Sequence, residues 1–161
     1  MYRFWVPYIS AAREVKDDGH CGYRTLAVLL GRQEREYMAI RQEIATELIE
    51  NYDLYDPIRR GLHEGTWDKL VMQVNYCLSP CSSEYWLHMP FIGLAFATLY
   101  QVGLVLLTWH APTLCLPLRA RGTINAPPTR IMAMAHIGQQ NHFIPVNNLL
   151  LIWFTFSNLI E

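Results

Sequence analysis

Residues 15 to 31, V-K-D-D-G-H-C-G-Y-R-T-L-A-V-L-L-G, put two aspartates, a histidine and a lone cysteine directly before an apolar run. Leu26, Ala27, Leu29 and Leu30 give that run the surface of an amphipathic or buried helix starting at Cys21, with Gly31 as its stop. Cys21 then lies in the first helical turn. Unpaired backbone N–H groups and the positive end of the helix dipole favour thiolate over thiol at that place. The stretch therefore offers a candidate nucleophile.

Outward from this helix, Tyr37, Ile40, Ile44 and Leu48 recur at three and four between Glu36 and Asn51, the pattern of a surface helix. Tyr52 to Gly65 reads as a connector. Trp67, Leu70, Val71 and Val74 mark a third helix, with Thr66 expected as its cap. Pro90 opens a nearly wholly apolar helix from Phe91 to Tyr100. The character then changes. Val102–Trp109, Thr113–Leu118, Arg130–Ala135, Asn141–Val146 and Leu149–Phe156 read as strands, punctuated by prolines, by Gly138 and by an Asn147-Asn148 hairpin turn. Helices first and strands later predict an α+β fold, a sheet drawn from the C-terminal half and packed between helices.

The 161 residues match one domain, 1–161, long enough to bury a continuous core. Apolar residues are 52% of the chain and charged ones 17%, with a formal net charge of -1, so no basic footprint invites nucleic acid. The absence of a leader-like opening argues for reduced thiols and an intracellular protein, cytoplasmic or nuclear. The run from Leu149 to Phe156, L-L-L-I-W-F-T-F, is too short for the roughly 20 apolar residues a membrane helix needs, and no membrane segment is read. A monomer is expected.

A catalytic thiol needs a base, and among the six histidines His142 stands out, at the start of a short strand beside a polar loop and 121 residues downstream of Cys21. Thiol hydrolases often join such a pair only in space. Three blocks strengthen the pairing. D-G-H-C-G-Y-R-T-L-A from Asp18, W-L-H-M-P-F-I-G-L-A from Trp86 and N-H-F-I-P-V from Asn141 resemble, in order and spacing, the ovarian-tumour (OTU) family of cysteine proteases. The resemblance runs from about Tyr8 to Val146, and it is nearest to the OTU-like domains carried by mobile genetic elements.

The resemblance implies an OTU-like fold and a deubiquitinase that cleaves isopeptide bonds at the C-terminus of ubiquitin, with ubiquitin or polyubiquitin chains as partner and no cofactor or metal. It makes Cys21 the nucleophile and His142 the base. Backbone N–H groups of Asp18, Gly19 and His20 would serve the oxyanion, Asp18 would hold the turn, and Phe143 would line the channel for ubiquitin's tail. Gly19 is expected to let the backbone approach the substrate closely.

Two positions depart from the family pattern. Ile144 stands where many relatives place the Asp or Asn that orients the histidine, so that partner must come from Asn141, Asn147 or a polar residue of the N-terminal segment. His20 replaces the usual Asn, and as the neighbour of Cys21 it points too far away to be its base. A weakly active or inactive ubiquitin-binding module and a hydrolase for another ubiquitin-like modifier are the alternatives. A zinc set of Cys77, Cys81, His88 and His110 or Cys115 lacks a second tight pair, which leaves packed reduced cysteines as the better reading.

Overall fold

Alternation along the late strands sorts their side chains onto two faces of one sheet, and the helices pack where the larger side chains point. A computed structural model describes residues 9–119, 130–138 and 140–147. Its elements are β1 (Ala11–Ala12), α1 (Cys21–Leu29), α2 (Tyr37–Glu50), α3 (Asp56–Arg59), α4 (Thr66–Val74), α5 (Phe91–Tyr100), β2 (Gly103–Leu107), β3 (Thr113–Cys115), β4 (Ile131–Ile137) and β5 (His142–Asn147). The sheet runs β1-β5-β4-β2-β3, with β2 and β4 parallel and every other pair antiparallel. The α+β class expected from the sequence is the class observed.

Leu104 and Leu106 of β2, Met132 and Met134 of β4 and Phe143 of β5 join the main core, together with Leu26 of α1, Ile40 and Ile44 of α2, Leu70 of α4 and Phe96 of α5. Val105, Leu107, Ala133, Ala135, Ile144 and Val146 point to the opposite face, as the period of two requires. All helices that join a core among the described residues join the first one.

The third helix begins one residue differently from expectation. Gly65, at φ 73, is the residue before α4, and Thr66 is its first member with no side-chain cap. A left-handed entry suits glycine, which has no Cβ to strain. The connector from Tyr52 contains a 3-10 turn and the short α3. The expected Leu149–Phe156 strand and the Asn148 half of the hairpin turn lie outside the described residues. No helix among the described residues is long and apolar enough to cross a membrane.

β1 gives no periodic signal because it is two exposed residues pairing along one edge. It nevertheless fixes the path of the N-terminal segment. Ala11 opposes Asn147, Ala12 opposes Val146, and Arg13 N–H donates to the Pro145 carbonyl at 3.2 Å, so the chain runs antiparallel to β5 toward its first residue, His142.

Candidate active site

Thr25 holds α1 against β5, its hydroxyl donating to the Phe143 carbonyl at 3.0 Å in the core. Cys21 is one helical turn before Thr25 on the same face, and His142 is the strand neighbour of Phe143. The register of one helix on one strand thus brings the two residues together. A Cys21 sulfur, a His142 ring nitrogen and an Asp17 carboxylate oxygen all lie within 4.8 Å of one another.

Both members of the pair are buried, Cys21 at 6% and His142 at 3% exposure. The thiol is not the ready thiolate that its place at a helix N-terminus predicts. Burial pushes its pKa up, hydrogen bonds from the Phe143 and Gly22 backbone pull it down, and the Asp17 and Asp18 carboxylates push it up again, for a net rise. Loss of hydration outweighs the helix end here.

The carboxylates beside the imidazole come from the N-terminal segment. Asp17 Oδ1 is 3.6 Å from His142 Nδ1 and Glu14 Oε2 is 3.7 Å from Nε2, and both acidic side chains are mostly exposed. Of the alternatives open in the sequence, Asn141 binds His136 at 2.8 Å instead, and Asn147 is at the other end of β5. Ile144, two residues along the strand from His142, is buried in the second core and offers no polar atom. Neither Glu14 nor Asp17 carries a sequence signal, because their nearness to His142 depends on the β1–β5 pairing.

Asp18 is turned to a different task. Its carboxylate takes two hydrogen bonds from Arg24, at 3.0 and 2.6 Å, and one from the His20 N–H at 3.2 Å. Arg24 in turn lies over the Tyr37 ring at 4.0 Å. Burial raises the Asp18 carboxyl, but the Arg24 and His20 bonds outweigh it and hold the pKa below its ordinary value. Asp18 therefore braces the loop, and the carboxylate within the Cys–His cluster is its neighbour Asp17. The His20 N–H, expected to face an oxyanion, is already engaged by Asp18.

Gly19 has a different reason to be glycine from the one expected. At φ 82, a Cβ there would meet the Cys81 carbonyl oxygen at 2.1 Å and the Trp86 indole nitrogen at 2.8 Å. The close approach is to this protein's own 80s loop: Cys81 N–H donates to the Asp18 carbonyl at 2.9 Å, and the Trp86 indole N–H to the Cys81 carbonyl at 3.1 Å. Gly22 likewise leaves room for Leu87, whose Cβ stands 2.5 Å from where a side chain would begin.

His20 is fully buried and both ring nitrogens are occupied, Nε2 by the Leu78 carbonyl at 3.0 Å and Nδ1 by Arg41 Nη1 at 3.2 Å. A guanidinium only donates, so Nδ1 accepts and the proton is on Nε2. Burial lowers the pKa of His20, and nearby Arg41 adds to the effect. It is a neutral structural residue. Arg41 itself also donates to the carbonyls of Val74, Gln73 and Tyr85 and stacks 4.0 Å over Tyr23.

Phe143, expected in a substrate channel, is 8% exposed, belongs to the main core and packs 4.8 Å from the His136 ring. An odd position on β5 faces the helices. Cys77, Cys81 and Cys115 are free thiols, and the only cluster of three potential metal-binding side chains among the described residues is Asp17, Cys21 and His142. The zinc set around Cys77 and Cys81 does not assemble there.

No protein-family model and no curated protein matches the sequence. Solved structures do resemble the fold. The OTU domain of OTUD1 superposes with a TM-score of 0.58 at 16% identity, covering 85% of each chain. The viral OTU domain protease from Dera Ghazi Khan virus gives 0.60 at 14% identity, covering 86% of this chain and 81% of that one. The mixed sheet, the helices on its main core and the extent of both superpositions make this the fold of an OTU domain.

Proposed function

We propose that this protein is a cysteine-type deubiquitinase that hydrolyses isopeptide bonds at the C-terminus of ubiquitin, with Cys21 as nucleophile and His142 as general base. The observation that carries the reading is the meeting of the Cys21 sulfur and a His142 ring nitrogen from opposite ends of the sequence, beside a carboxylate, on an OTU fold.

The resting thiol is protonated, so the reaction begins when His142 takes its proton as the substrate carbonyl arrives. The Cys21 sulfur attacks the carbonyl carbon of ubiquitin's terminal glycine. N–H groups at the start of α1 and in the Gly19 loop stabilise the oxyanion. The tetrahedral intermediate collapses, the lysine nitrogen takes the proton from His142 and leaves, and water hydrolyses the thioester to regenerate the thiol. Glu14 and Asp17 stabilise the imidazolium while it exists, the role that Ile144 has no atoms to fill.

Incubation with a ubiquitin-propargylamide probe tests this. One covalent adduct per chain is expected, absent in Cys21→Ala and strongly slowed in His142→Ala. Folded wild-type protein that gives no adduct would sink the assignment, and labelling by probes built on another modifier alone would move the substrate to that modifier. A second reading, a binding module without turnover, is favoured by the burial and raised pKa of Cys21. It predicts ubiquitin binding with no adduct.

A further inference from the structure

Asp17, Cys21 and His142 present an oxygen, a sulfur and a nitrogen within 4.8 Å of one another, and no second cluster of this kind occurs among the described residues. Thiolate, imidazole and carboxylate are the donors zinc takes in proteins, at about 2.3, 2.0 and 2.1 Å respectively. Tetrahedral bonds of those lengths hold ligand atoms roughly 3.4–3.6 Å apart; Asp17 Oδ1 already stands 3.6 Å from His142 Nδ1, and any remaining contraction falls on the Cys21 sulfur.

A second observation points to a ligand. His142 Nδ1 is buried with no hydrogen-bond partner, and the side chain that carries it is 4% exposed. The third concerns the other ring nitrogen. Glu14 Oε2 is 3.7 Å from Nε2, beyond hydrogen-bond distance, and its mostly exposed side chain has only to close that gap to accept the N–H of a metal-bound histidine, which leaves the Nδ1 lone pair for the metal.

We propose that Asp17, Cys21 and His142 bind a zinc ion reversibly, with Glu14 as the acceptor behind the histidine and a water molecule in the fourth position. Binding breaks the S–H bond, releases the proton to solvent and forms the S–Zn bond, with no change of oxidation state. The metal and the tail of ubiquitin then exclude each other at one sulfur. This inhibition rests on the thiol-protease reading above; the binding does not.

Cobalt(II), a spectroscopic stand-in for zinc, is titrated into the full chain carrying Cys77→Ser, which removes an exposed competing thiol. One equivalent is expected, with sulfur-to-cobalt charge transfer and tetrahedral visible bands, both displaced by zinc and both lost in Cys21→Ser. Zinc affinity, read by competition with a chromophoric chelator, is expected to fall about tenfold in Glu14→Gln and further in Asp17→Asn. Bands that survive Cys21→Ser, or affinity unchanged in both carboxylate variants whose melting temperatures match wild type, overturn the site. Ubiquitin-propargylamide labelling blocked by zinc and restored by chelator supports the inhibition. Zinc binding at Cys21 in a protein that never labels, even with chelator present, overturns the protease reading and leaves the metal site standing.

Discussion

Residue 17 carries a charge that acts on both members of the pair. It lies 3.6 Å from His142 Nδ1, and beside Cys21 it disfavours the thiolate and so helps keep the resting sulfur protonated. Asp17→Asn is therefore expected to move the pH midpoint of Cys21 alkylation by iodoacetamide downward, because a like charge has been removed. A midpoint that stays put or rises would show that the carboxylate acts mainly through the histidine. Gly19 is constrained from two directions, its positive φ and the Cys81 carbonyl in the space of its missing side chain. Gly19→Ala is expected to lower stability by at least about 2 kcal/mol in urea unfolding. A near-neutral result would mean that the 80s loop moves aside easily.

At the scale of elements, the site depends on how α1 is held on β5. The Thr25 hydroxyl on the Phe143 carbonyl is a buried bond between them, one turn from Cys21 and one residue from His142. Thr25→Val preserves shape but leaves that carbonyl without the bond. It should reduce stability by about 1 kcal/mol and slow probe labelling more than the stability change explains. Full labelling in a destabilised variant would show that the α1–β5 register survives without the hydroxyl. The other critical element is β1, whose two paired residues lead Glu14 and Asp17 past His142.

Across the whole molecule, the loop before α1 is tied to distant segments through buried polar groups. His20 and Arg41 link it to the carbonyls of Leu78, Val74 and Tyr85, and Asp18 and Arg24 link it to α1. His20 has a pKa below 6.5 in the fold, so below that pH the unfolded chain binds a proton that the native state refuses. Stability should then fall as the pH drops from about 7 toward 5. His20→Asn should show a flatter melting-temperature profile over that window, and identical slopes would remove His20 as the cause. Asp18 acts at lower pH. Its carboxyl is held below 3.8, so its contribution is present above that value and disappears as the pH falls through the depressed pKa.

The helices at Cys21, Tyr37, Thr66 and Phe91 and the strands from Gly103 to Asn147 were legible because core burial imposes a period of 3.6 or 2 on the sequence itself. Cys21 and His142 were legible from local wording around each. The carboxylates beside His142 were legible only as an unspecified polar residue of the N-terminal segment, since Glu14 and Asp17 come near it through a two-residue edge pairing that buries no side chain and so leaves no pattern. Nor was the charge state of Cys21, which local sequence places at a favourable helix end while the packed fold removes its water. The sequence by itself determined which segments become helix and strand and which two residues to watch. Only the tertiary structure decided what surrounds them, because solvation and charge are set by neighbours in space.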